Sequence, residues 1–195
     1  MSNNFRVLLG LSILYLFSID LPILPVQALL NNLFGDIPLI MVASDTVEDD
    51  DVVRPEKHNV KELMFISLLL GVPTALFEIL YFAMIQSQPG TVVQTSLYVF
   101  LTFQALIIFY AIRNRKHFWK AKAPSSLLNV SFILAFVCSL GITYIPQFQA
   151  WFSFVPLPAA SVGVIFGLMI LYFIAVDFVK VWHCRLKANS SRLAL

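Results

Sequence analysis

Charge is what this sequence has least of. Asp, Glu, Lys and Arg make up 12% of its 195 residues, about half the share in an ordinary soluble domain. Hydrophobic residues make up 59% and the mean hydropathy is +0.83, so the chain is read as an integral membrane protein. Cysteine is scarce too. Cys138 and Cys184 sit in different apolar segments with no CxxC neighbour, which argues against a disulfide scaffold or a thiolate metal centre. The three histidines, His58, His117 and His183, show no i, i+4 pairing and define no metal site. There is no internal repeat and no low-complexity tract. Nor do the basic residues form a stripe interleaved with stacking aromatics, so nucleic acid is not an expected partner.

What is present is a series of apolar runs, each about 20 residues and so long enough to span a bilayer. They fall at Phe5–Leu24, Pro25–Ala43, Val60–Ile85, Thr91–Ile112, Leu127–Ile145 and Ala159–Trp182. All 13 Lys and Arg residues lie at the N-terminus, around Arg54–Lys61, within Arg113–Lys122, or between Lys180 and Arg192. The alternate connections, Asp20–Leu24, Gln86–Gly90 and Pro146–Pro158, carry none. Six crossings therefore put every cation on one face, which the positive-inside rule makes cytoplasmic. A multi-pass protein of the plasma (inner) membrane with both termini inside is expected. Trp151, Phe152 and Phe154 in the last outer connection fit an interfacial aromatic belt. The N-terminus has a second reading, as a signal peptide cleaved after Ala28, which would leave five crossings.

The second run stands apart from the others. LPILPVQALLNNLFGDIPLIMVASD, Leu21 to Asp45, carries Gln27, Asn31, Asn32 and Asp36 in its middle and Pro38 just beyond. An ionisable group at membrane depth is costly and usually faces a bundle interior, a wet cavity or an ion path. Asn32 and Asp36 are four apart and share one helix face. Pro38 cannot donate to the Phe34 carbonyl, so a partly unwound helix is expected, with free carbonyls beside an amide and a carboxylate. Such an all-oxygen set suits a hard cation such as Mg²⁺ or Ca²⁺. The plainer reading of the same residues is hydrogen-bonding between helices.

Several stretches together resemble one family, the C-terminal membrane half of magnesium-translocating P-type ATPases. LPILPVQALLNNLFGD is similar to the end of its fifth membrane helix, the outer turn and its sixth helix. SDTVEDDDVVRPEKHNVKEL resembles its cytoplasmic connection, GVPTALFEILYF its seventh-helix pattern GPxSSxFDxLTF, and FSFVPLP its outer connection before the last helix. The resemblance implies an all-α bundle of six transmembrane helices, counterparts of the family's fifth to tenth, in a single membrane domain over residues 1–195. It places the family's sixth-helix cation ligands on Asn32 and Asp36, with Asn31 as the register alternative, and its seventh-helix acid on Glu78. Mg²⁺ is then the expected transported ion. Thr46, Glu48, His58 and Ala75 depart from the family pattern, and Glu78 is longer than the usual Asp.

The family's DKTGT, TGE and GDGxND motifs do not occur in these residues. Aspartyl-phosphate chemistry needs that nucleophile and nucleotide site, so the chain is not expected to be an enzyme on its own. ATP would enter only through domains carried elsewhere, for instance on a separate chain. The other partners implied are the cation and membrane lipid. A stand-alone regulatory or binding module associating with an intact pump is the alternative reading, and a degenerate remnant a third. For Glu78 the plainer reading, beside that of a cation ligand, is a protonated helix contact. Asp177 is expected to pair with a snorkelling Lys180 at the inner interface. Gly163 and Gly167 form a GxxxG that hints at a tight helix crossing.

Overall fold

The computed structural model describes residues 22–41, 60–112 and 124–193. Every regular element among them is helical: α1 (Pro25–Met41), α2 (Val60–Ile85), α3 (Gly90–Ile112), α4 (Ser126–Gly141), a 3₁₀ turn (Ile142–Tyr144), α5 (Pro146–Phe152) and α6 (Ala159–Leu193). Helix is what lipid demands of a single apolar segment, because it satisfies each backbone N–H and C=O internally. The ends are set locally. Pro25 and Pro146 occupy first-turn positions, where a missing N–H costs nothing. The Ser125 hydroxyl caps α4 by accepting from the Leu128 N–H at 3.2 Å. α5 stops at Ser153, whose φ of 53° puts it in the left-handed region.

α3 is the centre post. Of its Gly90–Ala111 span, 83% is buried, against 22% for Leu68–Ile85 of α2, and α1, α2, α4 and α6 all pack on it. Its apolar residues run all the way round, as a fully enclosed helix requires. Two of its buried hydroxyls are satisfied within the helix, whereas that of Tyr98 is enclosed without a hydrogen-bond partner. Thr102 Oγ1 donates to the Tyr98 carbonyl at 2.8 Å, and Thr95 Oγ1 to the Thr91 carbonyl at 2.9 Å. Aromatic rings fill the seams: Tyr81 stacks on Phe100 at 4.4 Å, Phe103 meets Phe136 at 4.4 Å, and Tyr98 meets Phe154 at 4.6 Å. Lipid tails are as apolar as these side chains, so close packing and hydrogen bonds, not escape from water, favour association.

The outer faces are as apolar as the seams. Leu76 and Leu80 of α2, Ile133 and Val137 of α4, and Ile170 and Ile174 of α6 are all exposed. In water, so large an apolar surface would aggregate; in a bilayer it is the lipid face. Spans 68–85, 90–111, 126–144 and 159–182 are long and apolar enough to cross a membrane, and the protein is a multi-pass membrane protein.

Four expected crossings thus coincide with observed helices, and the fifth, α1, is shorter at 17 residues. All but the last three residues of Phe5–Leu24 lie outside the described residues, as do the charged connections at 44–59 and 113–123. Three details differ from expectation. The connection expected outside contains the helix α5, and only part of its aromatic set is exposed: Trp151 is 70% exposed, whereas Phe154 is buried against Tyr98. The last helix runs on past Trp182 to Leu193. Lys180 does not snorkel. Its ammonium turns inward to Asp177 and to the Ala111 carbonyl near the end of α3, because a cation is favoured where a helix leaves carbonyls without donors.

Candidate cation site

α1 is continuous through Pro38, so the expected unwinding is not seen. Proline is tolerated inside membrane helices where neighbours enclose the freed backbone, and Pro38 is buried. Phe34, whose carbonyl loses its donor, packs into the core of the bundle. The buried stripe of α1 is Gln27, Asn31, Gly35 and Pro38, set against α3 and α4. Asn32 and Asp36 follow the stripe's Asn31 and Gly35 by one residue, about 100° around the helix. Asn32 is half-buried at the edge of the contact, and Asp36 is exposed. The amide and the carboxylate therefore stand one turn apart on a face that points away from α3 and α4.

Asn31, the register alternative, has gone the other way. It is 1% exposed, and neither its amide nitrogen nor its oxygen has a hydrogen-bond partner. Gln27, one turn nearer the N-terminus of α1, is also enclosed, yet both ends of its amide are used. Its Oε1 accepts from the Leu24 N–H at 3.3 Å, and its Nε2 donates to the Phe152 carbonyl at 2.8 Å. The first bond is the back-reaching half of a capping box. A glutamine at the third helical position, two after Pro25, was the available sequence signal for that bond; nothing local pointed to the contact with Phe152.

Glu78 is 1% exposed and lies on α2. One turn before it, Thr74 Oγ1 donates to the Leu70 carbonyl at 2.8 Å and lies 3.0 Å from the Tyr172 hydroxyl of α6. Gln104 of α3 donates to the Thr74 carbonyl at 2.9 Å. Glu78 thus occupies a polar seam where α2, α3 and α6 meet. The structure brings Asn32 and Asp36 together on one face but does not pack their helix closely on that of Glu78. Among the described residues, no group of three or more His, Cys, Asp and Glu side chains could hold a metal ion. Sequence reading passed over Gln104 and Tyr172, since a single Gln or Tyr in an apolar run does not reveal which helix it will meet.

The multi-pass helical bundle defines a class, the polytopic α-helical membrane domains. The comparisons are more specific. Residues 20–182 match the family described as "Cation transporting ATPase, C-terminus", and the chain belongs to that family. It is 20% identical over 191 residues to the magnesium-transporting ATPase, P-type 1, of Escherichia coli K12, covering 94% of this chain and 21% of the relative. It is 21% identical over 192 residues to the protein of the same name from Salmonella typhimurium LT2, with the same coverage. The chain spans about a fifth of the length of these curated relatives.

Proposed function

We propose that the chain is the C-terminal membrane part of a P-type pump for Mg²⁺, and that Asn32 and Asp36 supply two of the oxygen ligands of its intramembrane site. The observation that carries this is the exposed carboxylate of Asp36, one turn from the Asn32 amide, on the face of α1 turned away from the helices that enclose its other side. A charge at that depth would be eliminated from a surface meant only for lipid. Glu78, enclosed in the α2–α3–α6 seam, is the third oxygen donor assigned to the site, as the counterpart of the family's seventh-helix acid. Phosphorylation and ATP binding belong to sequence beyond these residues, on the same or another polypeptide. The termini are assigned to the cytoplasmic side from the distribution of Lys and Arg.

The test is thermal unfolding of the purified chain in lipid nanodiscs, with and without Mg²⁺. A ligand bound only by the folded state raises the midpoint with concentration. Wild type is expected to gain stability with Mg²⁺, and Asp36→Asn to keep its ion-free midpoint but lose the gain. No gain in wild type, or an equal gain in both, would remove the assignment.

A further inference from the structure

We propose that Trp151 and Trp182 are a pair of lipid anchors, one at each end of the membrane span of α6. Their indole rings dock at the boundary between phospholipid headgroups and acyl chains and fix the depth of the bundle. Trp151 is 70% and Trp182 61% exposed. The span runs from Ala159 to Trp182, so Trp182 closes it at one membrane surface. Trp151, eight residues before Ala159, lies in the connection at the other. Between them the outward row of α6, Phe166, Ile170, Ile174 and Phe178, is exposed and wholly apolar, a face for acyl chains to cover. An indole has an apolar body and a single N–H donor, and it settles where one end is apolar and the other wet.

Charges and the neighbouring aromatics do not hold these two ends. Lys180, the span's own cation, would ordinarily snorkel to the headgroups, but its ammonium is turned inward to Asp177 and the Ala111 carbonyl. Trp182, two residues on, is what α6 presents at that level. At the opposite end no Asp, Glu, Lys or Arg occurs between Lys122 and Asp177, so charge cannot set the depth there. Tyr144 is exposed, but its hydroxyl donates to the Leu157 carbonyl at 2.9 Å. Phe152 stacks on Phe154 at 5.7 Å, and Phe154 meets Tyr98 of α3 at 4.6 Å, so both rings lead inward. Trp151 is left to meet lipid. Its helix is tied to the bundle: Gln149 Nε2 donates to the Thr143 carbonyl at 2.8 Å, and Gln27 Nε2 to the Phe152 carbonyl at 2.8 Å. The depth at which the ring settles is therefore the depth of the bundle.

The experiment is depth-dependent quenching of tryptophan fluorescence in the full chain, reconstituted in phosphatidylcholine vesicles. Trp119→Phe with Trp182→Phe leaves Trp151 as the single emitter, and Trp119→Phe with Trp151→Phe leaves Trp182. Each ring is expected to be quenched about twofold more by a nitroxide on the fifth acyl carbon than by one on the twelfth, and to be shielded from aqueous iodide. Phe178→Trp, in a chain whose own three tryptophans are all phenylalanine, moves the emitter one turn inward, roughly 6 Å deeper, and should favour the deeper nitroxide. Circular dichroism checks that helicity is kept. The same depths can be read by difference, from the emission that wild type loses on Trp151→Phe or Trp182→Phe alone. Iodide quenching at either ring close to that of free indole, or a stronger effect of the deeper nitroxide there, overturns the proposal. So does protection from nitroxides and iodide alike, which would mean that a protein partner covers the ring. No part of the test depends on Mg²⁺ or on Asn32 and Asp36.

Discussion

Lys180 and Asp177 form an ion pair at 2.7 Å, one turn apart on α6 and both enclosed by protein, and the same ammonium donates at 2.9 Å to the Ala111 carbonyl. The pair joins α6 to the C-terminal end of the central helix. Removing one partner of an enclosed pair strands the other charge, which costs about 3–5 kcal/mol, whereas replacing both with apolar groups is often close to neutral. Asp177→Leu alone, which leaves the enclosed Lys180 ammonium without its carboxylate, should therefore destabilise the bundle strongly, and Asp177→Leu with Lys180→Met together much less. Unfolding of the single and double variants in mixed micelles checks this; additive losses would show that the charges do not act as a pair.

The Thr74–Tyr172 contact, at 3.0 Å between hydroxyls, calls for a smaller effect. Side-chain hydrogen bonds between membrane helices average about 0.6 kcal/mol, because unpacked helices find other partners. Thr74→Val and Tyr172→Phe should each cost about that amount, and a double-mutant cycle should return a coupling of similar size. Zero coupling would mean that Thr74 is satisfied by its own-helix bond to Leu70 alone.

Phe100 and Leu134 separate packing from simple hydrophobicity. Phe100 is enclosed and stacked on Tyr81, while Leu134 is 58% exposed on α4. Truncation to alanine should cost about 3 kcal/mol at Phe100, where a cavity opens, and under about 0.5 kcal/mol at Leu134, where lipid fills the space. Equal losses would contradict the assignment of the α4 outer face to lipid.

Much of the architecture was legible before any coordinates. Runs of apolar residues bounded by Pro, Gly and Lys/Arg clusters marked three of the long helices to within a few residues and the start of the fourth, whose end lies beyond Trp182 at Leu193, because length and hydropathy alone decide what can span a bilayer. Sequence could also place Asn32 and Asp36 on one face, since helical spacing is local. It could not show that the helix would carry Pro38 without breaking, or that Lys180 would turn inward. Those outcomes depend on neighbours distant in the chain, α3 and α4 around Pro38 and Ala111 beside Lys180. Phe154 was misplaced for the same reason: an aromatic residue in an outer connection can lie at the interface or plug the bundle beneath, and Tyr98 decides which.

The length of α6 has a mechanical consequence. Its 35 residues make a rod of roughly 52 Å at the α-helical rise, in a hydrocarbon slab about 30 Å thick. If it stands upright, roughly 20 Å of it clears the hydrocarbon slab on the side where Leu193 lies. Any assembly resting on that surface meets a stiff pillar rooted through Lys180 in the centre of the bundle, so a push on the pillar is felt at the central helix before it reaches the periphery.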